Sequence, residues 1–111
     1  MEKKLGKIEE VHFGLGGYQG AMLGLHVTLG DGGWGVGHSK SNWDSERIKW
    51  TENTQWTESD RDMWYSEIMR YVSTLLKDAK VNSVDMLKGK PVEVTFDGDS
   101  LKSWRILTEV L

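Results

Sequence analysis

The side chains that could do acid–base work near neutral pH are His12, His26 and His38. An imidazole can shuttle a proton or ligate a metal at that pH. Neither an H-x-H nor an H-x-x-x-H spacing brings these three together, so they read as surface or sheet-edge residues and no metal is expected. The chain has no cysteine, which removes thiol nucleophiles, zinc–thiolate sites, iron–sulfur clusters and disulfides. Carboxylates crowd residues 44–62, but each has polar neighbours and none has the apolar setting that raises a pKa for general acid work. Ser39, Ser41 and Ser45 lack a nucleophile-elbow context. The expectation is a protein without enzymatic activity and without a cofactor.

The stretch HFGLGGYQGAMLGLHVTLG, residues 12–30, raises a different chemistry. Gly14, Gly16 and Gly20 give a G-x-G-x-x-x-G spacing, close to a phosphate cradle. Such a cradle needs a strand, a glycine turn and then a helix whose N-terminus faces the phosphate. Here Leu23, Leu25, Val27 and Leu29 alternate with Met22, Gly24, His26 and Thr28. Period two is strand patterning, so the glycines are expected to serve a bulge and a tight turn.

Tryptophan is the strongest anomaly. Of six, Trp34, Trp43, Trp50, Trp56 and Trp64 fall within 31 residues. Trp64 and Trp104 fit core positions, and Trp34 suits a cover for the sheet. Trp43, Trp50 and Trp56 lie in a polar, acidic segment with Arg47 and Lys49 between them. They could pin a loop to the sheet, or form a binding surface. Indoles anchor protein interfaces, and indole with guanidinium can stack a base. The candidate binding residues are therefore Trp43, Arg47, Trp50 and Trp56, with Tyr18 in the glycine stretch and Arg105 beside Trp104.

These residues need elements to hold them. Residues 7–15, 21–29 and 34–38 alternate as three antiparallel strands, with GDGG (30–33) as a turn. Residues 39–56 are irregular, with a short strand possible at Ile48–Trp50. Thr57 suits a helix N-cap with Asp60 at N3. The stripe Trp64, Ile68, Val72, Leu75, Leu76 and Ala79 then predicts a helix of about 22 residues, about 33 Å long. Acids at its start and Lys77 and Lys80 at its end suit the helix dipole. PVEVTFD (91–97) and LKSWRILTEVL (101–111) predict a closing hairpin around Asp97-Gly98. The last strand is apolar on both sides, which places it centrally or under the helix. The fold class expected is α+β: an antiparallel sheet of about five strands, β-β-β-α-β-β, on one long helix.

At 111 residues the chain fits a single domain, residues 1–111. Its net charge of −3 comes wholly from residues 44–62, where six acids face three bases. No concentrated basic run suggests duplex nucleic acid. No run reaches the roughly 18 apolar residues of a membrane span, and MEKKLGKIEE is not a secretory signal. A soluble, intracellular protein is expected.

The blocks GLGGYQGAMLGL, GGWGVG, WTESDR, LLKDAKVNSVDMLKGKPVEVTFDG and LKSWRILTEVL resemble a family of small uncharacterised bacteriophage and prophage proteins. The resemblance covers residues 7–111 and implies a setting, the cytoplasm of an infected bacterium. It assigns no residue a role. Two partners are then expected as alternatives. One is a host bacterial protein, such as a defence effector, inhibited by occlusion through the acidic, tryptophan-rich segment. The other is a small cyclic-nucleotide signal, sequestered by a homo-oligomeric sponge. An enzyme cleaving such a signal is a weaker third, for want of any catalytic constellation. A final strand ending in TEVL would leave an edge open to self-pairing.

Overall fold

The computed structural model describes residues 1–44 and 58–111. Five strands form one antiparallel sheet: β1 (Glu2–Gly16), β2 (Met22–Gly30), β3 (Gly35–Trp43), β4 (Pro91–Asp97) and β5 (Ser100–Ile106). One helix, α1 (Glu58–Ala79), packs on it. The spatial order is β3-β2-β1-β4-β5. The α+β class and the predicted element order hold. Thr57 and the short strand at 48–50 lie outside the described residues.

β1 is the axle of the sheet. Its first half, residues 2–7, pairs with β4; its second half, residues 7–16, pairs with β2. A bulge between Ile8 and Glu10 lets one strand change partners, because an extra residue bends and twists the bulged strand. At the bend the Ile8 N–H donates to the Lys90 carbonyl (3.0 Å), and the Gly89 N–H donates to the Ile8 carbonyl (2.7 Å). Leu87, in the short 3-10 turn Val84–Leu87, is fully buried there.

Directly opposed residues in antiparallel strands share a face. Ile8, Val11 and Phe13 of β1 oppose Leu29, Val27 and Leu25 of β2, which oppose Val36, His38 and Lys40 of β3. This inner face holds the core, closed by Ile68, Val72, Leu75 and Ala79 of α1 and by Val92, Val94 and Ile106. The helix stripe matches the prediction with one exception. Trp64 is 40% exposed, because it lies on the flank of α1 that looks toward β3. α1 ends with Lys80 at φ +58, a Schellman stop in which the Val81 N–H reaches the Leu76 carbonyl at 3.1 Å.

The outer face explains the glycines. A Cβ at Gly16 would stand 3.1 Å from the His26 ring, and one at Gly14 3.1 Å from the His12 ring. The two imidazoles lie stacked over this bare floor, centroids 5.9 Å apart. No α-helix follows the glycines; β2 does, so the cradle geometry is absent.

Two expectations fail. β5 is an edge strand, not a central one. It stops at Ile106, and residues Thr108–Val110 turn as a 3-10 segment that leaves Val110 64% exposed. The apolar run on both sides of 104–111 is therefore only half strand, and TEVL offers no strand edge. β3 runs on to Trp43 instead of ending at 38, so His38 lies mid-strand. The polar run SKSN masked that continuation, since its side chains lack strand propensity and are held by cross-strand pairing instead.

Candidate binding surface

Trp43 closes β3, half-buried, on the edge of the sheet. Its carbonyl accepts the Tyr65 O–H of α1 at 3.3 Å, which ties the strand end to the first turns of the helix. Arg47, Trp50 and Trp56 lie outside the described residues. The backbone of Tyr18 falls in the one-turn segment Tyr18–Gly20, and its side chain also lies outside them. Arg105 is on β5, at the opposite edge of the sheet from β3 with three strands between. Its guanidinium grips Glu109 through two 2.9 Å bonds and reaches Glu93 at 3.3 Å. Hydrogen bonds from Arg105 hold the Glu109 carboxyl down at about 2, and Glu109 in turn raises the guanidinium further. Trp43 and Arg105 thus do not share a site.

The structure gathers a different set between β3 and α1. Continuing the period of β3 puts Lys40 in phase with Val36 and His38. Its ammonium sits over Trp64 (5.5 Å) and Tyr71 (5.9 Å), seven residues apart on one flank of α1. Arg61 lies over Tyr65 at 5.9 Å. Lys40, Glu67, Arg70, Tyr71 and Thr74 line an open depression of about 330 Å³. Met63, 56% exposed, and Trp64 extend the surface toward the helix start. The 64/71 spacing is visible in the sequence; Lys40 is not, because the alternation of residues 34–38 stops before it and SKSN shows no strand pattern.

Behind this surface the two edges of the sheet meet. The Trp104 indole N–H of β5 donates to His38 Nδ1 of β3 at 3.1 Å, with Tyr71 of α1 alongside. Burial pushes the Tyr71 phenol up to about 12. Burial first, and the Lys40 charge second, hold His38 below its ordinary range. As an acceptor, Nδ1 must stay unprotonated. Just below pH 6.5 the unfolded chain binds more protons at His38 than the folded one, so stability present above that pH is lost as pH falls. Thermal unfolding between about pH 7 and pH 5.5 is expected to show it. His38→Asn, which keeps an acceptor but cannot titrate, should flatten the slope. An equal slope in both proteins would remove His38 as its cause.

Among the described residues the nearest thing to a catalytic group is His26 with Ser39. The Ser39 hydroxyl is 2.7 Å from His26 Nδ1, and Nε2 faces the carbonyls of Gly14 (3.2 Å) and Met22 (3.1 Å). Those carbonyls fix the proton on Nε2, and Nδ1 then accepts from Ser39. Acyl transfer also needs donors aimed at a developing oxyanion. The polar groups around this pair are carbonyl oxygens, including that of Leu15, which takes the His12 ring at 2.9 Å. Their polarity is the wrong one. Among the described residues no cluster of three ligating side chains could hold a metal, and no helix is long and apolar enough to cross a membrane. Compared with known protein families, curated proteins and solved structures, the chain matches none.

Proposed function

We propose that this is a phage-encoded, non-catalytic binding protein that acts in the infected bacterium's cytoplasm by occluding a host protein. The observation that carries the reading is the α1–β3 surface. Trp64 and Met63 are exposed on its helix side, next in sequence to the acidic run 44–62. Partly exposed tryptophan with flexible methionine is the chemistry of a protein-docking anchor, and the acids favour a basic partner face.

Nucleotide sequestration finds less support. Arg105 is committed to two carboxylates, and the Lys40 ammonium already covers the ring faces on which a base would stack.

Affinity capture from a bacterial lysate tests the reading. Trp64→Ala and Met63→Ala are each expected to lower recovery of a stoichiometric partner by about thirtyfold, the scale of an interface hot spot. Ser103→Ala, on β5, should leave it unchanged. Recovery that none of the three alters would put docking elsewhere.

A further inference from the structure

We infer that two copies of this chain pair through the open edge of β1, antiparallel about a two-fold axis at Phe13. β4 covers only residues 2–7 of β1, and the 89–90 backbone covers Ile8. From residue 10 to 16 no described residue pairs with the edge away from β2. Half the backbone N–H and C=O groups of an antiparallel strand point to each side, so this edge presents groups that another strand would satisfy, the Leu15 carbonyl by exchanging its present bond to the His12 ring.

Soluble proteins blunt such edges with lysine, proline or charge. β3 carries Lys40 and β5 carries Lys102 and Arg105. Residues 11–16, VHFGLG, carry none of these. Phe13 on their inner face is 45% exposed, and with Leu23, Tyr65, Ile68 and Met69 it lines an apolar cleft of about 210 Å³.

The occupant is a second copy because the segment complements itself. In the two-fold register Phe13 faces Phe13 of the second copy, and Val11 faces its Leu15, so apolar meets apolar on the inner face. On the outer face His12 falls opposite Gly14, where there is no side chain to clash with the ring. Charge agrees: Glu10, the one ionised residue of the segment, falls opposite Gly16, and Lys88 already lies 3.7 Å from it. Seven paired residues make a strip about 24 Å long and about 10 Å deep, which buries roughly 500 Å² over the two copies. Stable dimers bury about 1,200 Å² or more. The pairing is therefore weak and concentration-dependent, and it leaves the α1–β3 surface free on both copies.

Sedimentation of the purified protein from about 1 to about 500 μM is expected to show a monomer–dimer equilibrium with a dissociation constant in the micromolar range. Phe13→Glu sets like charges opposite each other and should weaken it at least about tenfold. Phe13→Cys gives a chain with one cysteine. Opposed Cα atoms at about 4.5–5.5 Å suit a disulfide, so mild oxidation should link the pair. Met63→Cys, on α1, should not link. Should Phe13→Glu fail to fold, Val11→Lys takes its place. A monomer across the whole range overturns the inference. So does a dimer that ignores the Phe13 variants and does not cross-link.

Discussion

Gly24→Ala is expected to cost about 3 kcal/mol, the upper end of overpacking in a well-packed interior. Gly24 is buried in β2 opposite Ser41 of β3. A methyl there would run into the Lys40 carbonyl oxygen and stand 2.6 Å from the Ser41 Cα. Both obstacles are backbone, so relief requires prising β3 from β2. The urea midpoint should fall by about 2 M. Lys40 would shift with β3, so the variant should also lose partner capture. An unchanged midpoint would mean that β3 yields freely and that the glycine is incidental.

Leu87→Ala carries the second large effect, about 3 kcal/mol. Leu87 is fully buried, packed in one cluster with Ile8, Val92 and the α1 stripe. Truncation leaves a cavity under the bend where β1 changes partners, and the 89–90 backbone that hydrogen-bonds Ile8 loses its footing. The melting temperature should drop by about 15 °C. Met86→Ala next to it, at a residue 50% exposed, should change stability by no more than about 0.5 kcal/mol. Equal melting temperatures for the two variants would show that the turn is not part of the cooperative core.

The fold was largely legible because its long elements carry clean periods. Period two through 21–29 and the stripe at 68, 72, 75 and 79 need no tertiary information. What the sequence concealed depends on contacts between distant segments. Nothing local in KKLGKIEE marks a strand whose two halves serve different neighbours. Nothing in SKSN marks the extension of β3, which stands because β2 holds it. Trp64 obeys helical spacing, yet the stripe does not tell which flank the sheet covers. Of the candidate binding residues, Trp43 ends β3 with its carbonyl held by Tyr65, and Arg105 is drawn away by Glu93, its partner across β4, and by Glu109, which the turn after β5 brings close. Lys40 entered the surface through pairing register, which no single segment displays.

The change of partner along β1 also bears on how the protein is made. A ribosome delivers residues 2–43 early, and the β1–β2–β3 meander can zip up from neighbouring segments. Residues 2–7 find their ladder only when 91–97 appear, well after the meander is made. The nascent chain thus carries a half-used strand until β4 emerges, and closing so long a loop is slow. Premature termination before Pro91 would leave that strand unsatisfied and prone to stick to other chains.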